Sequence, residues 1–124
     1  MKKILFIEDE SALQKTFDDA LEGRDYTIVH ALDGESGLRL AKEEKPNLIL
    51  LDLILPKMNG FDVLSNLKKD SETNSIPVIV LTNLEDMGDI QRALDLGATT
   101  YLVKANYRLE EIVKKVEEGL STQT

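Results

Sequence analysis

Five short apolar runs recur along the chain, and each is followed by a stretch whose apolar residues return at helical spacing. The runs are KKILFI (2–7), YTIVHA (26–31), NLILLDL (47–53), PVIVLT (77–82) and TTYLVK (99–104). Apolar runs this short read as strands, and the unbroken ones as strands covered on both faces. The intervening faces are Leu13, Phe17, Ala20 and Leu21, then Leu38 and Ala41, then Phe61, Leu64 and Leu67. Met87, Ile90, Ala93 and Leu94 form the fourth, and Leu109, Ile112, Val113, Val116 and Leu120 the last. Ser11 is placed to cap the first helix and Asp33-Gly34 precedes the second, which Pro46 stops. Pro77 opens the fourth strand, where its missing N–H matters least, and Gly97 can end the fourth helix. Strict alternation of buried strands and helices predicts a (βα)5 domain, an α/β sandwich with a parallel sheet, helices on both faces and right-handed crossovers. The units share no repeat consensus, which argues against a solenoid.

The stretch ILFIEDE (4–10) poses a charge problem: four apolar residues run straight into Glu8, Asp9 and Glu10. Like charges so close repel, and partial burial aggravates it, so something positive should compensate. Ligands of such sheets bind at the carboxyl ends of the strands. The residues expected there are Glu8, Asp9 and Glu10 from the first strand, Asp52 from the third, Thr82 from the fourth and Lys104 from the fifth. Several carboxylates, one ammonium and one hydroxyl make a hard-oxygen site suited to Mg2+. A glycine-rich phosphate loop is missing after the first strand, which argues against a dinucleotide-binding domain and a P-loop enzyme. The net charge of −8 argues against direct nucleic-acid binding and against attraction to anionic membranes. Cysteine is absent, removing disulfides and thiolate chemistry, and no stretch has the make-up of a signal peptide or a membrane span. The expectation is a single cytoplasmic domain over residues 1–120 with a flexible tail at 121–124.

Four motifs in this order, the acidic pair Glu8-Asp9, DLILPKMNG around Asp52, LTN around Thr82 and YLVK ending in Lys104, resemble the receiver domain of bacterial two-component response regulators across essentially the whole chain. The resemblance implies a flavodoxin-like sheet in the order 2-1-3-4-5. It implies that Asp52 is the phosphoacceptor, taking a phosphoryl group from a sensor histidine kinase, a phosphotransfer protein or a small phosphodonor. It implies Mg2+, with Mn2+ an alternative, held by Glu8, Asp9, Asp52 and the backbone carbonyl of Ile54. Lys104 and Thr82 would contact phosphoryl oxygens, and Thr82 with Tyr101 would form a switch that remodels the face of the fourth helix, fifth strand and fifth helix. The implied protein is a signalling domain rather than an enzyme, acting through a kinase that docks near the first helix and a downstream protein target.

The sequence departs from the family at three places. Ala105 follows Lys104 where proline is common, Asn83 follows Thr82 where a small residue is common, and Glu8 replaces an aspartate. Ile54 and Leu84, two residues past Asp52 and Thr82, cannot orient an attacking water, so slow autodephosphorylation is expected. The competing functions are a pseudo-receiver interaction module and an aspartate-nucleophile phosphohydrolase of the haloacid-dehalogenase type. The second wants an acid at the position of Ile54 and a cap domain for which 124 residues leave no room. Taken by itself, Tyr101 reads as a half-buried strand residue, His30 as a surface or packing residue, Lys68-Lys69 and Lys114-Lys115 as solvated helix faces, and Met58 and Met87 as packing.

Overall fold

A computed structural model describes residues 1–121. The elements alternate as β1 (Lys2–Ile7), α1 (Ser11–Leu21), β2 (Tyr26–Ala31), α2 (Gly34–Glu44), β3 (Leu48–Leu51) and α3 (Gly60–Lys69). They continue as β4 (Val78–Thr82), α4 (Met87–Asp95), β5 (Thr100–Val103), a single 3-10 turn (Lys104–Asn106) and α5 (Leu109–Ser121). The strands form one parallel sheet in the order β2-β1-β3-β4-β5. This is the flavodoxin-like arrangement expected.

Side chains of a strand alternate between faces, so each run feeds two cores. Leu5 and Ile7 join Ile49, Leu51, Val78 and Val80 under α2, α3 and α4, whose Ala41, Leu64 and Ala93 face them. Ile4 and Phe6 join Leu48, Leu50, Ile79 and Leu81 on the other face, against Phe17 of α1 and Val113 and Val116 of α5. The rings of Phe6 and Phe17 meet edge to face with centroids 5.3 Å apart, a geometry that adds about 0.5–1.5 kcal/mol beyond burial. The helices end as their residues dictate. Asp33 caps α2 by accepting from the Ser36 amide at 2.8 Å, Asn59 caps α3 by accepting from the Asp62 amide at 3.1 Å, and Gly97 follows α4 at φ 112°.

Several expectations need correction. The N-cap of α1 is Glu10 rather than Ser11, and its side chain makes no capping hydrogen bond. Met87 is 76% exposed and Leu94 42%, so α4 presents half of its apolar face to solvent, burying Ala93 and half-burying Ile90. An amphipathic pattern is the same whether its stripe meets the core or a partner, which is why periodicity misassigns them. Lys68 is not a simple solvated lysine: it is half-buried and its ammonium donates to the carbonyls of Ile76 at 2.9 Å and Asn74 at 3.3 Å. Burial pulls its pKa down. The last helix runs through Ser121, one residue past the expected boundary, and residues 122–124 of the expected tail lie outside the described residues. Among the described residues no helix is long and apolar enough to cross a membrane.

Candidate functional site

The register of the sheet decides what meets at its carboxyl edge. Ile7 pairs with Leu51, Leu51 with Val80, and Thr82 with Val103. Glu8, Asp52 and Lys104 therefore emerge from the carboxyl ends of β1, β3 and β5. The Asp52 amide donates to the Ile7 carbonyl at 3.0 Å, fastening β3 to β1 where the strand order reverses. Gly60 lets α3 start against this same point: a Cβ there would lie 2.4 Å from the Asp52 carbonyl oxygen and from the Leu53 Cα. A cavity of about 160 Å3 opens at this edge, lined by Glu8, Asp9, Glu10, Asp52, Ile54, Asn83 and Lys104.

The positive charge required by the acidic run is Lys104. Its ammonium lies 2.6 Å from Glu8 Oε1 and 3.0 Å from Asp52 Oδ2. Glu8 is 1% exposed and Asp52 4%, and charges that deep in a fold are retained only when paired. The pairing is incomplete. Glu8 Oε2 accepts from the Glu10 amide at 3.2 Å and Asp52 Oδ1 from the Ile54 amide at 3.2 Å. Glu8 Oε1, despite the nearby ammonium, has no aligned hydrogen-bond donor among the described residues. One ammonium facing two buried carboxylates, with Asp9 adjacent, leaves negative charge uncompensated. Carboxylate oxygens of Glu8, Asp9 and Asp52 all lie within 4.8 Å of one another, and hard oxygen ligands so grouped suit a divalent cation.

Burial pushes the Glu8 carboxyl up to about 7; Lys104 and the Glu10 amide pull it down, and the Asp52 charge adds to the rise. Burial pulls Lys104 down, but its contacts with Glu8 and Asp52 outweigh this and leave it raised. Because Glu8 holds its proton more tightly folded than unfolded, the stability it contributes is fully present below about 4.5 and lost as pH rises through about 7. In urea titrations across this range, wild-type stability should fall relative to Glu8→Gln as pH rises. A constant difference between the two proteins would rule this titration out. Cation binding requires the carboxylate, so it should release protons near neutrality and weaken on acidification.

Asp9 is exposed at the mouth, and Ile54, 55% exposed, lines the cavity. Thr82 is wholly buried at the end of β4 and does not line the cavity; Asn83 takes that place. The Thr82 hydroxyl accepts from the Leu84 amide at 3.5 Å, and the Tyr101 hydroxyl donates to the Leu84 carbonyl at 2.7 Å. Leu84 thus links the two expected switch residues, and Tyr101 is half-buried and turned inward. Burial, with the charges of Asp89 and Asp52, pushes the Tyr101 phenol up to about 12. Lys104 opens the 3-10 turn, and no cis peptide bond occurs among the described residues. His30 lies off the site, 2.7 Å from Asp18 Oδ1. Glu10, expected at this edge with Glu8 and Asp9, lines the cavity as well. One residue near the site goes beyond what the sequence suggested. Gln14 is buried beneath the acidic loop, and its spacing with Phe17 and Leu21, i, i+3 and i+7, was the available signal.

Comparison with known proteins agrees with this geometry. The family model for the response regulator receiver domain matches residues 4–117. The DNA-binding dual master transcriptional regulator RpaA of Synechocystis sp. is 40% identical over 116 residues, covering 94% of this chain and 48% of that protein. The chain spans about half the length of the curated relatives it matches. The Mn2+-bound form of response regulator Rcp1 superposes with a TM-score of 0.88 at 32% identity, covering 100% of this chain and 98% of that one. The phosphorylated cyanobacterial phytochrome response regulator RcpA gives 0.87 at 34% identity, over 99% and 96%. With the family matched across nearly the whole sheet and an acidic, lysine-bridged cavity at its carboxyl edge, the chain belongs to the response regulator receiver domain family.

Proposed function

We propose that this domain accepts a phosphoryl group on Asp52 and uses the acyl phosphate to change which partner it binds. The observation that carries this reading is the setting of Asp52: buried, held at Oδ2 by Lys104 and at Oδ1 by the Ile54 amide, and within reach of Glu8 and Asp9. Transfer forms a bond from an Asp52 carboxylate oxygen to phosphorus and breaks the bond from phosphorus to the donor, a phosphohistidine nitrogen or the oxygen of a small phosphodonor. The phosphoryl transition state spreads charge over its equatorial oxygens, so positioning and positive charge do most of the work. Glu8, Asp9, Asp52 and the Ile54 carbonyl would hold Mg2+, which when bound neutralises charge on the phosphoryl oxygens. Lys104 supplies a compact charge to one of those oxygens, and the Thr82 hydroxyl can donate to another once it turns toward the cavity.

The receiver unit is assigned to residues 1–120, in the cytoplasm, as a signalling domain that assists its own phosphorylation. Its donor is a sensor histidine kinase or phosphotransfer protein. Its output is a protein target on the face of α4, β5 and α5, where Met87 and Leu94 stand exposed. Incubation with Mg2+ and a small acyl-phosphate donor should add one phosphoryl group to the intact mass, and chelation should prevent it. The adduct should then decay slowly, because Ile54 and Leu84 offer no group to orient water. Absence of any adduct, with a sensor kinase also failing to transfer, would leave the pseudo-receiver reading in its place.

A further inference from the structure

Gln14 is a buried polar side chain that phosphoryl chemistry leaves without a role. It is 3% exposed on α1, in the stripe with Phe17 and Leu21. Its Nε2 lies 2.9 Å from the Phe6 carbonyl oxygen, 3.2 Å from that of Glu8 and 3.2 Å from that of Ala31. Three acceptors around one atom settle the orientation of the amide, since a flipped side chain would set its oxygen against three carbonyl oxygens. The cost falls on the other side: Oε1 is buried with no hydrogen-bond partner among the described residues. An apolar residue would fill this face without burying an unpaired oxygen. The donor side is therefore what the position supplies.

Those three carbonyls belong to the end of β1, the acidic loop and the end of β2. The Glu8 amide also donates to the Ala31 carbonyl, at 2.9 Å. Gln14 and Ala31 thus hold both backbone polar groups of Glu8. The Glu8 carbonyl lies in the same planar peptide as the Asp9 amide, so fixing it fixes the direction in which Asp9 leaves the strand. Asp9 itself is exposed at the mouth of the cavity. We propose that Gln14 is a positioning residue for the acidic site, aiming Glu8 and Asp9 through their shared peptide. This rests on reading Glu8, Asp9 and Asp52 as a divalent-metal site.

The test uses the full chain, Mn2+ as the probe, and electron paramagnetic resonance to measure free Mn2+, with thermal melts alongside. Gln14→Met keeps length and helix preference but removes the donors, and Gln14→Lys returns a donor nitrogen. The expected result is a loss of roughly tenfold or more in Mn2+ affinity for Gln14→Met, the scale seen when groups that orient metal ligands are removed. Gln14→Lys should recover most of it. Phosphorylation by a small donor should follow the same split, with the Mn2+ requirement raised and the rate at saturating Mn2+ near that of wild type. A Gln14→Met protein that melts lower but binds Mn2+ as tightly as wild type overturns the proposal while leaving the metal site standing. Wild-type protein that fails to bind Mn2+ overturns both. If Gln14→Met does not fold, Gln14→Asn, which withdraws the donor by one methylene, is judged by the same two outcomes.

Discussion

Asp52→Asn should take up no phosphoryl group from any donor under conditions that load the wild type. The amide presents no carboxylate oxygen to phosphorus, while its shape and the hydrogen bond from the Ile54 amide can be kept. The same substitution should leave the metal-free protein no less stable, and on the order of 1 kcal/mol more so, because burying a charge is costly and that cost disappears. Repulsion from Glu8 is relieved as attraction to Lys104 is lost, so these two changes oppose each other, and the remaining Glu8–Lys104 pair becomes one to one. Intact mass spectrometry and urea unfolding test the two halves separately. A phosphoryl adduct on the Asp52→Asn protein, localised to another residue, would remove Asp52 from its assigned role.

Lys104→Met should be damaged in both respects. Its side chain is only 18% exposed and compensates two buried carboxylates. Loss of one preorganised charge-stabilising donor typically lowers a rate by about 10²–10³, and a loss of that order is expected in phosphorylation at saturating Mg2+. Breaking a buried ion pair can cost about 3–5 kcal/mol, but here Glu8, with its carboxyl already pushed up to about 7, can take up a proton instead. The expected loss at neutral pH is therefore smaller, about 1–3 kcal/mol, and it should shrink as pH is lowered toward the ordinary carboxylate range. Stability measured against pH decides this. A deficit that is the same at acid and neutral pH would mean that Lys104 acts through packing of its stem.

The sequence-based expectations were most accurate where one physical cause dominated. β1 and β2 run over the expected residues, with Glu8 stopping the first and Asp25 preceding the second. β3 is shorter than its apolar run: Asp52 and Leu53 stay buried but belong to the turn that carries the acid into the cavity. The residues expected to gather did so for Glu8, Asp9, Asp52, Ile54 and Lys104, since strand order and parallel register leave them no other edge. Thr82 shares that edge yet is wholly buried and does not line the cavity, its hydroxyl taken by the Leu84 amide, which spacing does not carry. Spacing alone does not single out Gln14, because Leu13, its apolar neighbour, offers an equally regular helical face. Its burial beside Phe17 and Leu21 and the three converging carbonyls place it in the buried stripe.

The thin anchoring of α4 has a thermodynamic consequence. Its one fully buried side chain is Ala93, the smallest apolar anchor a helix can have, supplemented by the Arg92 guanidinium 4.2 Å above the Phe61 ring. Burying a methyl group contributes roughly a third of what a leucine does by area, and an exposed cation–π contact about 0.5–1 kcal/mol. An element fastened so lightly lies low on the domain's scale of local opening energies. A bias of about 1.4 kcal/mol changes the ratio of two conformers tenfold. Small perturbations at the sheet edge can therefore move α4 while α1 and α5, locked by Phe17, Val113 and Val116, stay in place.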